Sequence, residues 1–264
     1  MNIDTEKITK LEWANYAATL PTAEVTPDLE VILREDIIIT SSMTFPAPDV
    51  NHACLMRATP ETADGLIDEV IAYFQGKELP PTVFVSPACM PADLGERLVK
   101  RGFVKQEEQE AWMAMDLKSV KLPSPSSKIQ VRQIAQEEAL TFTEVFMSSF
   151  EMPTDLALAM AQLLKPSINL PGVHHYIAFS EEQPVGTCSL IQYQEIGILG
   201  SAGVLPKYRR SGAATNLTIK AITESQQHGI DTLILQTAAG TLLERLLRIS
   251  NFRKVFTRIS YTLP

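Results

Sequence analysis

Val204-Leu205-Pro206-Lys207-Tyr208-Arg209-Arg210-Ser211-Gly212-Ala213-Ala214-Thr215 is the stretch that decides the fold. An apolar, strand-like run over 196–204 leads into it. A helical pattern over 213–228, closed by Gly229, leads out of it. A helix start leaves its first backbone N–H groups unpaired and carries the positive end of the helix dipole, so it suits an anion. Gly212 has no side chain to keep a phosphate off the backbone. Ala213 and Ala214 keep the helix start open, and Arg209 and Arg210 add positive charge, directed either at the anion or at solvent.

The surrounding chain gives this loop a context. The run Lys121-Leu122-Pro123-Ser124-Pro125-Ser126-Ser127-Lys128 interrupts all periodicity and reads as a linker over 123–128. It separates domains at 1–122 and 129–264. The second domain predicts a strand at 129–134, a helix at 136–150 and a second helix capped by Thr154. Strands follow at 174–179, 185–193 and 196–204, with Glu181-Glu182-Gln183-Pro184 as a turn. Beyond the loop come a helix, a strand at 230–236, a helix at 242–249 and a strand at 255–262. That order, β-α-α-β-β-β-loop-α-β-α-β, is an α+β arrangement around a mostly antiparallel sheet.

The loop and its context resemble the GNAT superfamily of N-acetyltransferases. The superfamily's pyrophosphate-binding pattern, Arg/Gln-x-x-Gly-x-Gly/Ala, is met by Arg209-Arg210-Ser211-Gly212-Ala213-Ala214. The resemblance implies an acyl-CoA N-acyltransferase-like fold with acetyl-CoA as co-substrate. Amides of Arg209, Arg210, Gly212, Ala213 and Ala214 would then bind the pyrophosphate, with Thr215 adding a hydroxyl. Backbone groups near Ala202 and Val204 would bind the pantetheine arm between splayed strands. The implied activity is acetyl transfer to a primary amine of a small molecule or protein. The alternative is an inactive acyl-CoA sensor, because the tyrosine that many members use as general acid falls near Leu247, and 241–250 holds no tyrosine.

Candidates for the proton steps are Glu195, as base, and Tyr193, as acid, both next to a hairpin. The favoured reading of Glu195 from its place in the turn is a solvated hairpin acid. His174 and His175 point to opposite faces of a strand, so at most one can serve a given site. Cys188 reads as core.

The first half expects strands at 30–33, 37–40, 52–57, 83–85 and 112–117, with helices at 63–74 and 94–101. Its ending, Glu96-Arg97-Leu98-Val99-Lys100-Arg101-Gly102-Phe103, parallels Glu244-Arg245-Leu246-Leu247-Arg248-Ile249-Ser250-Asn251-Phe252 with one residue inserted. We therefore read a tandem of two related domains, the first without the loop. Where the loop would be, Ala58-Thr59-Pro60-Glu61-Thr62-Ala63-Asp64 contributes acids, which repel a pyrophosphate, and Thr62 or Asp64 would cap the helix.

The net charge of −8 is concentrated in the first half: residues 1–125 carry 11 Lys and Arg against 20 Asp and Glu. That balance disfavours nucleic acid and leaves a cationic acceptor open. No apolar run spans a membrane, and the N-terminus lacks a signal-peptide pattern. Three scattered cysteines lack metal-ligand spacing, so a reducing, cytoplasmic setting and no metal are expected.

Overall fold

The computed structural model describes residues 4–264. In the first half, α1 (Thr5–Ala17) and α2 (Leu20–Val25) precede β1 (Glu30–Leu33), β2 (Ile38–Ser41) and β3 (His52–Cys54). Then come α3 (Ala63–Gln75), β4 (Thr82–Val85), α4 (Leu94–Lys100) and β5 (Val104–Asp116). The second half runs β6 (Ile129–Gln133), α5 (Ala139–Ser149), α6 (Ala157–Leu164), β7 (Val173–Ser180), β8 (Gln183–Tyr193) and β9 (Ile196–Val204). It closes with α7 (Ala213–Gln227), β10 (Thr232–Ala238), α8 (Leu242–Ile249) and β11 (Arg253–Thr262). The strands are mostly antiparallel, as the sequence pattern requires.

Several boundaries differ from the sequence reading for local reasons. Leu55 has φ 48°, so β3 stops at Cys54 and does not run on to Arg57. Glu181 takes φ 57° and turns the chain within two residues, so Gln183 and Pro184 join β8. Thr154 caps nothing: it opens a short 3-10 turn, and α6 starts at Ala157. The Thr62 side chain makes no cap bond to α3; its hydroxyl accepts from the Thr59 amide at 3.1 Å. Two larger features were not expected. Helix α1 is capped by Asp4, which accepts from the Lys7 amide at 2.9 Å, but its buried face includes Glu12 and so lacks a clean apolar stripe. Strand β5 begins eight residues before the expected Trp112, because its first half, Val104–Glu110, is polar and mostly exposed.

Two compact units form. One gathers the residues up to Ala23, Asp28–Ala114 and Gln236–Pro264; the other is Glu24–Pro27 with Met115–Leu235. The expected division at 123–128 is therefore not where the units part. The last helix and strand, expected in the 129–264 domain, fold with the first unit. There β11 lies between β4 and β5, antiparallel to both, with Ile259 opposite Val85 and Arg258 opposite Glu110. The order in that unit is β1-β2-β3-β4-β11-β5, with β3 and β4 parallel. In the other unit it is β6-β7-β8-β9-β10, with only β9 and β10 parallel.

The first unit packs α3 and α4 on one apolar core that includes Ile37, Met56, Ile67, Phe74 and Leu98. A second buried cluster is polar and centres on Arg258. Its guanidinium lies 4.3 Å from the Phe84 ring centre and 5.0 Å from that of Trp112. It donates to the Tyr16 hydroxyl at 2.7 Å, pairs with Glu110, and lies 3.6 Å from Glu12. Tyr16 in turn shares a 2.6 Å hydrogen bond with His52. Glu12 is fully buried and accepts from Ser86 at 2.5 Å.

Burial pushes the Glu12 carboxyl up to about 7, against the downward pull of Arg258. The folded state thus holds this proton more tightly than the unfolded chain, whose glutamate titrates near 4.5. The resulting stability is complete below that value and is lost as the pH rises through 7. We predict that the melting temperature of the wild type falls between pH 6 and 8.5 while that of Glu12→Gln stays level. A wild type that gains stability over this range would show the ion pair with Arg258 to be the larger effect.

Candidate functional site

The loop between β9 and α7 is built from tight turns. Pro206–Tyr208 forms one 3-10 turn, Arg209 is extended, and Arg210 and Gly212 take φ 71° and 95°. Gly212 is the N-cap of α7. Two positive-φ residues within three positions let neighbouring amides of a loop face one way, a form suited to an anion. Some amides are engaged by the protein. Tyr208 donates to the Leu205 carbonyl at 2.8 Å, Arg209 to Pro206 at 3.3 Å and Ser211 to Tyr208 at 3.2 Å. Ala213 donates to the Ser211 hydroxyl at 3.3 Å. Among the described residues, the amides of Arg210, Gly212, Ala214 and Thr215 meet no acceptor. Of the five expected amides, Arg209 and Ala213 are thus occupied, by long bonds, and three meet no acceptor; the Thr215 amide, expected to contribute only its hydroxyl, is a fourth.

The basic side chains divide in role. Arg209 donates to the Ser149 carbonyl at 3.0 Å, so it closes the C-terminal end of α5. Arg210 is exposed. Lys207 lies over the Tyr208 ring, 5.6 Å from its centre.

What approaches Gly212 is the chain itself. A Cβ there would stand 2.6 Å from Ser126 Cβ, so the glycine is needed both for its φ and for this contact. Ser126 is held by Asn216, which accepts from its amide at 2.8 Å and donates to its carbonyl at 2.9 Å. The Asn216 amide nitrogen also donates to the Ile129 carbonyl at 2.8 Å. Asn216, just past Thr215, is thus a buried clamp.

Upstream, β9 and β10 pair only from Ile196↔Thr232 to Ile198↔Ile234, although β9 continues to Val204 and β10 to Ala238. A bulge interrupts β9 just beyond the last pair. Ser189 faces Gly200 and Thr187 faces Gly203, so Ser201 and Ala202 oppose Cys188 alone, and Ser201 takes φ 45°. Past the bulge, the Leu205 amide donates to Val185 on β8. Strand alternation then turns the main-chain groups of Val204 and Ala202 to the opposite edge, away from β8. These are the two positions expected to bind an extended arm.

The catalytic candidates are placed elsewhere. Tyr193 pairs with Ile196, and Glu195 sits in the two-residue turn between them. The Glu195 carbonyl accepts from the Asp231 and Thr232 amides, at the end where β9 and β10 are joined. Seven residues separate Glu195 from Ala202, about 23 Å of strand. Spacing from a strand start did not reveal which end opens. His174 stacks on Tyr176 and approaches His228, while His175 faces Phe142 of α5, on opposite sides of β7 as expected. Cys188 is buried and its thiol is pushed up to about 12 by burial, which makes it inert.

In the first unit the corresponding edge is occupied. Past Cys54, the Met56 carbonyl accepts from the Met90 amide at 2.8 Å, and the Met90 carbonyl accepts from the Ala58 amide at 3.2 Å. Arg57 and Met90 form a parallel bridge. In the first unit, then, a segment of the chain itself lies along the edge that corresponds to the one β9 leaves open past its bulge.

The sequence model of the acetyltransferase (GNAT) family matches residues 134–246. No curated protein matches the sequence. Among solved structures, a GCN5-related N-acetyltransferase from Kribbella flavida is similar over 95% of both chains, at 13% identity and a TM-score of 0.71. A tandem GNAT protein from the clavulanic acid biosynthesis pathway is similar over 94% of this chain and 86% of its own, at 12% identity and a TM-score of 0.65. A GCN5-related N-acetyltransferase from Sphaerobacter thermophilus gives 16% identity, 88% and 81% coverage and a TM-score of 0.58. At these identities the likeness is one of fold.

The Asn216 clamp is directly testable. Asn216→Ala leaves buried main-chain groups of Ser126 and Ile129 unpaired, and should lower unfolding free energy in urea by about 2–4 kcal/mol. Asn216→Asp should recover little, since a carboxylate accepts but cannot donate to two carbonyls. Full stability of the aspartate variant would contradict this assignment.

Proposed function

We propose, from the premise that residues 134–246 are a GNAT-family acyltransferase segment, that the protein transfers an acetyl group from acetyl-CoA to a primary amine of a small molecule or peptide. One observation carries the reading: the amides of Arg210, Gly212, Ala214 and Thr215, around the start of a 15-residue helix, meet no protein acceptor among the described residues. A pyrophosphate fits there by charge and by hydrogen bonding. The exposed Arg210 side chain adds charge, while Arg209 and Ala213 shape the turn. Val204 and Ala202 present main-chain groups to the pantetheine arm in the manner of a strand edge.

In the reaction the amine nitrogen attacks the thioester carbonyl carbon. The C–S bond breaks as the C–N bond forms, and the departing sulfur takes up the proton that the amine loses. Glu195 and Tyr193 lie at the hairpin that begins β9, too far from its bulge to act at a carbonyl there, so these proton transfers fall to other groups or to water. That displacement, with the absence of a tyrosine from α8, favours one second reading: a sensor that binds acyl-CoA without turnover. The first unit contributes no second cofactor site in either reading, since Met90 occupies its edge.

Thermal shift with CoA, acetyl-CoA and ATP tests the ligand class. The two CoA forms should stabilise the protein and ATP should not. Ala214 is exposed in the first turn of α7, so Ala214→Glu should leave the unliganded melting temperature unchanged or raise it. The same variant should abolish the CoA shift, because a carboxylate then stands at the anion site. Titration calorimetry should give one CoA per chain; two would reopen the first unit. Thiol release over a panel of primary amines separates transferase from sensor.

A further inference from the structure

On the α5 side of the second unit, β9 carries two glycines with opposite surroundings. A Cβ at Gly203 would lie 2.8 Å from Ser149 Cβ and 3.1 Å from the Phe150 ring, so the end of α5 fills that position. A Cβ at Gly200 would meet nothing within 4 Å. Gly200 is directly opposite Ser189 on β8, and Ser189 is directly opposite His175 on β7. Directly paired residues share a face, so the hollow over Gly200 lies beside the Ser189 hydroxyl. That hydroxyl is 2.7 Å from His175 Nδ1. His175 is 2% exposed, and its Nε2 is without a protein partner among the described residues. A buried, half-satisfied polar pair in a sheet core costs stability, which calls for an explanation.

We propose that Ser189 is the hydrogen-bond acceptor for the attacking amine at the hollow over Gly200, and that His175 is its positioning residue. This rests on the transferase reading and names a residue for it. The hollow adjoins the Ser201–Ala202 bulge, one residue from where β9 turns its main chain toward the acyl carrier. Burial, with His174 beside it, holds the His175 imidazole down at about 4, so the ring is neutral at pH 7. A neutral ring carries one proton. With that proton on Nε2, Nδ1 accepts from the Ser189 hydroxyl and leaves the serine oxygen's lone pairs for an amine N–H. An imidazolium would instead donate to the serine, so the arrangement depends on the ring staying uncharged. The amine held this way presents its own lone pair to the carbonyl carbon, and its proton leaves with the sulfur as above.

The test combines three variants with an assay of CoA release from acetyl-CoA and an active primary amine. Ser189→Ala should lower kcat by about tenfold or more while the KM for acetyl-CoA stays level. His175→Gln should show a similar loss, and the double variant should lose little more than either single one. Gly200→Val, placed where space is open, should keep its melting temperature and its CoA-induced shift yet lose transfer. Long-range nitrogen NMR on histidine-labelled protein should find the proton of His175 on Nε2. An active wild type whose Ser189→Ala variant keeps its kcat overturns the role of Ser189 alone, as does a proton on Nδ1. A wild type that binds CoA but acetylates no amine overturns the transferase reading and this role with it.

Discussion

The second unit depends on how Asn216 satisfies the main chain around it. Its carboxamide closes three hydrogen bonds with the stretch entering β6, and it sits on the first turn of α7. The bonds bring Ser126 against Gly212, where any side chain would collide. A left-handed glycine at the helix start is then forced, and with it the reversal that leaves alternate amides facing outward. The cluster of unpaired amides is thus a by-product of tethering a helix to a strand. A single buried residue fixes the geometry of the loop before it.

Much of this was legible in the chain. The Gly212 loop, the strand before it and the helix after it stood at the expected residues, because apolar periodicity and a glycine at a helix start are local signals. The parallel endings of the two halves also hold, with Phe103 and Phe252 both 2% exposed after their helices. What was not legible was non-local. Helix α1 buries Glu12 because Arg258, almost the whole chain away, waits for it, so no apolar stripe announced the helix. The polar start of β5 is a strand because β11 pairs with it, not from its own composition. Glu195 has the right chemistry just before the right strand, but only the pairing register shows that this is the joined end.

The two halves also show how one architecture reaches opposite outcomes. Each sets a strand parallel to its neighbour for a few residues and then puts a non-glycine residue at positive φ, Leu55 in one and Ser201 in the other. After that point the main chain must find partners. In the first unit Met90 supplies them from within the chain. In the second, Val204 and Ala202 turn theirs outward. Closing such an edge therefore needs no collapse of the fold, only a segment of backbone in the right register.

The position of β11 bears on how the molecule is made. Chains emerge from the ribosome N-terminus first, and domains ordinarily fold in that order. Here the first unit lacks the strand between β4 and β5, and the guanidinium that neighbours Glu12, until residues 253–262 have been synthesised. The half translated first is thus completed last. During translation its polar centre and two unpaired strand edges wait until residues 253–262 emerge, whereas the residues of the second unit are all made by Leu235.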